Sequence, residues 1–271
     1  MHRTNREGSG RMRDRISSRA GTKLVIFAMG LLVAQTGLYA QGRGGRGGGA
    51  AAGPQTGKAG AAIDLTGYWV SVVTEDWRYR MVIPAQGDYQ GVPMTPEARK
   101  IADSWDITKE ASSPDQCKAY GAPAILRIPT RLHITWADDN TLKMETDAGK
   151  QTRLFHFGDW KAPAGPSTIQ GDSVAEWQRG GGRGATDGSL KVTTTHLKAG
   201  FLRKNGVPYS ENANVVEYFD IVKAPDGNPV IVATISTTDP AYLRQPFVIS
   251  SQFKKEASDA KWKPAACSPT W

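Results

Sequence analysis

Apolar and polar residues alternate with a period of two along most of the chain from residue 63 onward. Leu65–Thr74 is rich in aromatic and β-branched residues, and Trp77–Ile83 alternates apolar residues with arginines, which predicts two strands or one long bent strand. From residue 124 the pattern predicts a meander whose turns carry Asn, Asp and Gly. Its candidate strands are Ala124–Ile128, Arg131–Trp136, Thr141–Asp147, Gln151–Phe157, Leu190–Arg203, Asn214–Lys223, Val230–Thr238 and Phe247–Lys255.

One helix interrupts this pattern. Thr95 is suited to the N-cap, Pro96 to the first helical position and Glu97 to the first turn, so a helix is expected to begin there and to end near Trp105. The stretch Trp160–Gly188 has no clear periodicity and is predicted to be a long loop.

Many strands with short turns and almost no helix predict an all-β domain, either a sandwich or a closed barrel. We favour an antiparallel β-barrel with one short helix, because closure removes the edges that so many apolar strands would otherwise expose. Residues 63–271 are long enough to form one such domain with a sizeable core.

The first forty residues have the pattern of a secretory signal peptide. A basic leader, Arg11–Lys23, precedes an apolar run, Leu24–Ala34, and the small-residue exit Gly37–Ala40. The apolar run is shorter than the ~20 residues of a membrane-spanning helix, so no stable membrane anchor is expected after cleavage. The sequence therefore predicts a periplasmic or secreted protein, with residues 41–62 as a flexible, disordered Gly/Ala/Arg linker.

The positive charge of the chain belongs to these leading segments. Residues 1–40 hold seven Lys or Arg and two acids, and residues 41–62 hold three bases and no acid. Removing these from the totals of 34 bases and 26 acids leaves 24 of each in residues 63–271. A formally neutral domain lacks the clustered charge that nucleic-acid binding requires, so no nucleic-acid partner is expected.

The mature chain has two cysteines, Cys117 and Cys267. In an oxidising compartment an even pair favours a disulfide, which would tie the C-terminal tail to the middle of the domain. The alternative is two buried free thiols. Neither cysteine has the spacing of a redox or zinc motif.

Gly67-Tyr68-Trp69, at the start of the first predicted strand, resembles the Gly-x-Trp motif that opens lipocalins, in which the Trp plugs the closed end of an eight-stranded barrel. Thr238-Asp239-Pro240 partly matches the Thr-Asp-Tyr motif of the same family. Most of residues 63–267 is also similar to exported bacterial proteins that have no established activity. These resemblances imply a lipocalin-like, calycin-type barrel and imply no particular role.

Three histidines of the mature chain, His133, His156 and His196, lie in predicted strands. The turn lengths predict that His133 faces Glu145 and that His156 faces Thr141, so the first two histidines share a face but lie roughly 13 Å apart along the strands. One metal ion cannot span that distance. We therefore expect no metal site and no cofactor.

Folding Leu190–Arg203 back through a two-residue turn at Asn205-Gly206 places His196 opposite Val215. His196 and Glu217 then become diagonal neighbours on an inward, largely apolar face. This arrangement predicts either a buried acid/base pair that exchanges protons with a substrate or a structural hydrogen bond.

The ligand-contacting residues we expect are Trp69, Tyr79 and Trp136, as aromatic walls of the barrel interior. Four arginines are open to two interpretations, an anionic pocket or exterior strand positions. These are Arg78, Arg80, Arg127 and Arg131.

Together these observations predict an exported barrel that binds a small, apolar or ring-shaped molecule. One alternative is a lyase, isomerase or hydrolase that acts on a sugar or lipid through His196 and Glu217. Another is a structural envelope protein with a filled core. The oligomeric state does not follow from the sequence.

Overall fold

Nine strands close into a barrel in a computed structural model that describes residues 55–74, 76–180 and 188–270. The order around the barrel is β1-β11-β10-β9-β6-β5-β4-β3-β2, and β7 and β8 form a separate two-stranded sheet. The strands are β1 (Gly67–Val72), β2 (Arg131–Asp138), β3 (Thr141–Thr146), β4 (Thr152–His156), β5 (Asp172–Arg179), β6 (Gly188–Thr195), β7 (Gly200–Phe201), β8 (Pro208–Tyr209), β9 (Asn214–Lys223), β10 (Pro229–Thr238) and β11 (Phe247–Glu256).

The described residues all belong to one compact unit, residues 50–271. The predicted signal peptide, residues 1–40, and most of the predicted linker lie outside the described residues. Side chains alternate between the inside and the outside of the barrel, as the period of two predicts. Trp69, Leu132, Phe155, Phe219 and Phe253 are inward and fully buried, so side chains fill the barrel interior.

The barrel is mixed, so the prediction of a purely antiparallel barrel is wrong. β4 and β5 run parallel, with Phe155 paired with Ser173 and His156 with Val174. The connection 157–171 returns the chain to the opposite end of the barrel before β5 begins, as a parallel crossover requires. β5 itself lies inside the predicted loop Trp160–Gly188.

Two other predicted strands are helical. The segment expected as a strand over Trp77–Ile83 begins with a short helix, α1 (Trp77–Arg80), and Ala124–Ile128 contains a 3₁₀ turn over Ile125–Arg127. The burial does not match the predicted strands, because the apolar Trp77 and Met81 are exposed, and because Ile125–Arg127 is buried at three successive positions. Period-two patterns over such short runs do not distinguish a strand from a buried turn.

The predicted helix is confirmed as α2 (Pro96–Asp103). Thr95 is its N-cap, and the Thr95 Oγ1 accepts a hydrogen bond from Ala98 N at 3.2 Å. A further short helix, α3 (Ile107–Ala111), follows, with the Asp106 carboxylate as its cap.

The strand predicted over Leu190–Arg203 is interrupted. β6 ends at Thr195, and His196 has a left-handed backbone with φ of 56°. Leu202 N donates to Val207 O, so the following turn is the four residues Arg203–Gly206 and not the predicted Asn205-Gly206 pair. Two extra residues in the turn shift the pairing register by two.

The two ends of the barrel are covered by different parts of the chain. At one end, which we call the plugged end, Gly57 N donates to Asn140 Oδ1 at 2.8 Å and Trp177 Nε1 donates to Gly57 O at 2.7 Å. Residues 55–62 therefore pack on the barrel, although they fall within the predicted linker. At the opposite end, which we call the capped end, the segment 73–130 between β1 and β2 meets the connections 196–213 and 239–246.

The predicted disulfide between Cys117 and Cys267 is confirmed. It fixes the C-terminal tail at the capped end, where Ala265 N also donates to Asp147 O at 2.8 Å. Tyr120 adds two hydrogen bonds to this junction, because its hydroxyl accepts from Ser268 N and donates to Ser268 O, both at 3.1 Å.

Candidate functional site

The three histidines lie apart, each with its own partners. His133 stacks on Tyr68 with ring centroids 4.2 Å apart, and His156 stacks on Trp160 at 4.0 Å. Burial is the main reason that the pKa of His156 lies below its ordinary value. The predicted register is confirmed in both hairpins, since His133 faces Glu145 and His156 faces Thr141. Within the described residues, no group of three or more His, Cys, Asp or Glu side chains could hold a metal ion.

His196 and Glu217 do not form the expected pair. The four-residue turn places Val215 opposite Thr194 and Glu217 opposite Val192, so His196 lies beyond the end of the paired strand. His196 Nδ1 lies 2.8 Å from Asp172 Oδ2 on an exposed part of the surface. A register shift of two keeps every side chain on its face, and Glu217 therefore still points inward.

Glu217 binds Arg153 inside the barrel. Arg153 donates from Nη1 and Nη2 to the two carboxylate oxygens at 2.7 and 2.6 Å, and its Nη2 also donates to Thr194 Oγ1 at 3.2 Å. Ser173 completes the network through a 2.7 Å hydrogen bond to Thr194. Arg153 was not among the predicted site residues, although it alternates in phase with the inward Phe155. Glu217 is therefore one member of a buried structural ion pair with Arg153.

The three predicted wall residues lie in three different places. Trp69 is fully buried in the core, where its Nε1 donates to Leu65 O at 2.9 Å. Trp136 packs near the plugged end, 5.6 Å from Phe157 between ring centroids. Tyr79 lies at the capped end on α1. The structure therefore does not bring the three rings into one cavity.

A small cavity at the capped end is surrounded by cationic side chains. Arg80, Arg127, Arg203 and Lys204 line it together with Tyr79, and its volume is about 20 Å³. These four cations are 1, 4, 5 and 7 % exposed. Buried cations at this density are rare in proteins unless they are paired. We call this cavity the arginine pocket.

Three short elements bring these residues together. Arg80 ends α1, and Arg127 ends the 3₁₀ turn over Ile125–Arg127. Arg203 and Lys204 begin the four-residue turn between β7 and β8. The Arg80 side chain is held against the backbone of the second element, because Arg80 Nε donates to Arg127 O at 2.8 Å.

The arginine pocket contains guanidinium N–H groups that have no acceptor within the described part of the chain. Arg127 Nη1 donates to Asp76 Oδ2 at 3.1 Å, and Arg203 Nη1 donates to Gln90 O at 2.9 Å. Arg127 Nη2 and Arg203 Nε are buried and have no hydrogen-bond partner among the residues that the structure describes. A buried donor without an acceptor costs about 1–3 kcal/mol, and more when the group is charged.

The electrostatics of the pocket favour a negative charge. Burial, followed by repulsion from Arg127, lowers the pKa of Arg203 to about 10. Burial lowers the pKa of Lys204 to about 8, and it also lowers the pKa of Arg127. Arg203 lies 4.2 Å from the centre of the Tyr79 ring, whose negative π face offsets only part of this charge.

The four arginines singled out in the sequence divide into two pairs. Arg80 and Arg127 line the pocket, whereas Arg78 is exposed and binds Asp88 at 2.6 Å. Arg131 binds Glu256 at 2.9 Å and does not line the pocket. The anionic-pocket interpretation thus applies to two of the four. Arg203 was missed because the expected strand extended through it.

Within the described part of the chain, no helix is both long and apolar enough to cross a membrane. Comparison of the chain with known protein families, with curated proteins and with solved structures gives no match.

Proposed function

We propose that this protein is an exported barrel that binds a small anionic molecule, with the arginine pocket as its site. The observation that carries the proposal is a pair of buried N–H groups, on Arg127 and Arg203, for which the described residues supply no acceptor. An oxyanion placed between them would accept both hydrogen bonds and offset the repulsion between the two guanidinium groups. Charge-assisted bonds of this kind are roughly twice as strong as neutral ones.

The size of the cavity limits what part of the ligand it holds. A volume of about 20 Å³ is little more than one water molecule requires. The pocket therefore suits a single oxygen atom of a carboxylate, phosphate or sulfate group, and the rest of that group and of the ligand lies outside it. Because side chains fill the barrel interior, we place the ligand at the capped end instead of inside the barrel.

Two further observations support an exported protein. A disulfide between residues far apart in the chain persists in oxidising compartments and is rare in reducing ones. The order of basic, apolar and small residues at the start of the chain is typical of a signal peptide.

Calorimetric titration with inorganic phosphate, sulfate and acetate at constant ionic strength tests the proposal. We expect saturable binding of at least one of these anions, and we expect Arg203→Gln to weaken it at least tenfold, which corresponds to ~1.5 kcal/mol for one charged hydrogen bond. Arg78→Gln is the matched control, because Arg78 is an exposed arginine outside the pocket.

Circular dichroism of each variant establishes that its barrel is intact. Absence of saturable binding by all three anions would refute the proposal. Equal binding by the wild type and by a folded Arg203→Gln variant would refute the assignment of the site.

A further inference from the structure

An open apolar groove lies beside the arginine pocket. Its volume is about 590 Å³, which is within the range of sites for small organic ligands. Ile83, Pro84, Trp105 and Ile107 supply its large apolar surface, and Gln86 and Lys109 are among its polar neighbours.

The groove and the pocket share one turn of the chain. Arg203 and Lys204 line the pocket, and the next residue, Asn205, donates to Ala85 O at 3.2 Å and to Asp88 O at 3.0 Å. Gly206 packs directly under Trp105, where a Cβ atom would lie 2.3 Å from the tryptophan side chain. The turn thus contacts the groove through its second half and the pocket through its first half.

The length of this turn limits the backbone distance between the residues that contact the two features. Three residue steps separate Arg203 from Gly206, so their Cα atoms are at most ~11 Å apart. Asn205, which lies between them in the sequence, is fully buried, and no described residue donates a hydrogen bond to its Oδ1. A third unsatisfied polar atom therefore belongs to the turn that contacts both the pocket and the groove.

We infer that the ligand combines an anionic head with an apolar, ring-shaped body. One oxygen of the head occupies the arginine pocket, and the body lies in the groove against Trp105 and Ile107. This inference rests on the proposed function and specifies the class of its ligand. Charge complementarity places the anionic head at the pocket, and the groove that contacts the same turn receives the ring.

A set of three probes tests this inference. Inorganic phosphate supplies the head alone, 2-naphthol supplies the ring with a hydroxyl, and 2-naphthyl phosphate joins the ring to the anionic head. If the groove buries about 100 Å² of the ring, naphthyl phosphate binds about 70-fold more tightly than phosphate, from ~25 cal/mol per Å². We expect naphthol to bind much more weakly than naphthyl phosphate, because it lacks the head.

Two groove variants and one control locate the ring. Ile107→Ser and Trp105→Phe are each expected to reduce the excess affinity of naphthyl phosphate about fivefold or more, while the affinity for inorganic phosphate stays within twofold. Ile107 is the safer site, because no residue of α3 is buried. Val248→Ser is the control, since Val248 is an exposed apolar residue of β11 outside the groove.

The outcomes separate the inference from the proposed function. Tight binding of naphthyl phosphate that depends on Ile107 supports both. Equal affinities for phosphate and naphthyl phosphate, or an excess affinity that survives Ile107→Ser, overturn the inference and leave the anion site standing. Equal affinities for naphthol and naphthyl phosphate show that the groove acts without the pocket, which also overturns it. If no anion binds, the proposed function fails and the inference fails with it.

Discussion

Removal of Glu217 is expected to destabilise the barrel strongly, because it leaves a charged arginine alone in the core. Arg153 and Glu217 are joined by two hydrogen bonds of 2.7 and 2.6 Å, and their side chains are 1 and 0 % exposed. Glu217→Ala deletes both acceptors and leaves the guanidinium group buried in the barrel. Breaking a buried ion pair in this way costs about 3–5 kcal/mol.

The double variant Arg153→Leu/Glu217→Leu has a different expected cost. Replacing both members of a buried ion pair by apolar residues of similar volume is often neutral or stabilising. Thr194 would lose only the 3.2 Å hydrogen bond from Arg153 and would keep its bond to Ser173. We therefore expect the free energy of unfolding of the double variant to lie within about 2 kcal/mol of the wild-type value and to be higher than that of Glu217→Ala.

Urea unfolding followed by tryptophan fluorescence and by circular dichroism measures these differences, provided that the two signals change together. A loss of less than 1 kcal/mol in Glu217→Ala would contradict a desolvated, paired charge. The reasoning would also be contradicted if the double variant lost more free energy of unfolding than Arg153→Leu and Glu217→Leu lose when their separate losses are added. If Glu217 were instead a catalytic acid, its replacement would not be expected to cost this much stability.

Three further outcomes are expected. In urea unfolding, Gly206→Ala should lower the free energy of unfolding by at least 2 kcal/mol and Gly227→Ala by only about 1 kcal/mol. Both glycines have φ of 81°, but only Gly206 packs against an indole ring, so equal losses would refute that contact. Replacing Cys117 and Cys267 together by serine should lower the free energy of unfolding by about 5 kcal/mol, from the closure entropy of a loop of this length, and a reductant should affect only the wild type. The folded state releases the Lys204 proton at about pH 8 and the unfolded state near pH 10.5, so this group should raise the free energy of unfolding as the pH rises between these values. The same pH profile in Lys204→Met would exclude this contribution.

The period of two predicted the strands well where the inward positions hold large apolar residues. β9 was predicted with its observed ends, Asn214 and Lys223, because Val215, Phe219 and Ile221 mark one face. β5 was missed because its inward positions include Ser173 and Ala175 while Val174 points outward. A strand whose buried face is small and polar has no apolar alternation to detect.

The site was harder to predict than the fold, because its residues come from short, irregular elements. Arg80 and Arg127 were candidates for an anionic pocket because they are arginines, but no local sequence pattern predicted that both would be buried in one place. The position of Arg203 depends on the length of one turn, and a four-residue turn in place of a two-residue turn changes every residue pair formed across it. That same difference of two residues separated His196 from Glu217.

The place of β1 in the barrel has a consequence for the timing of folding. β1 is the first strand of the barrel to be synthesised, yet Tyr68 pairs with Glu256, at the end of the last strand. Until β11 emerges, the β11-facing edges of both β1 and β10 remain open, and Trp69 lacks part of the core that buries it. Contacts this distant in sequence form slowly, and open strand edges are templates for aggregation. Nascent chains that stop before residue 247 should therefore depend on chaperones, whereas the complete chain closes both edges in a single step.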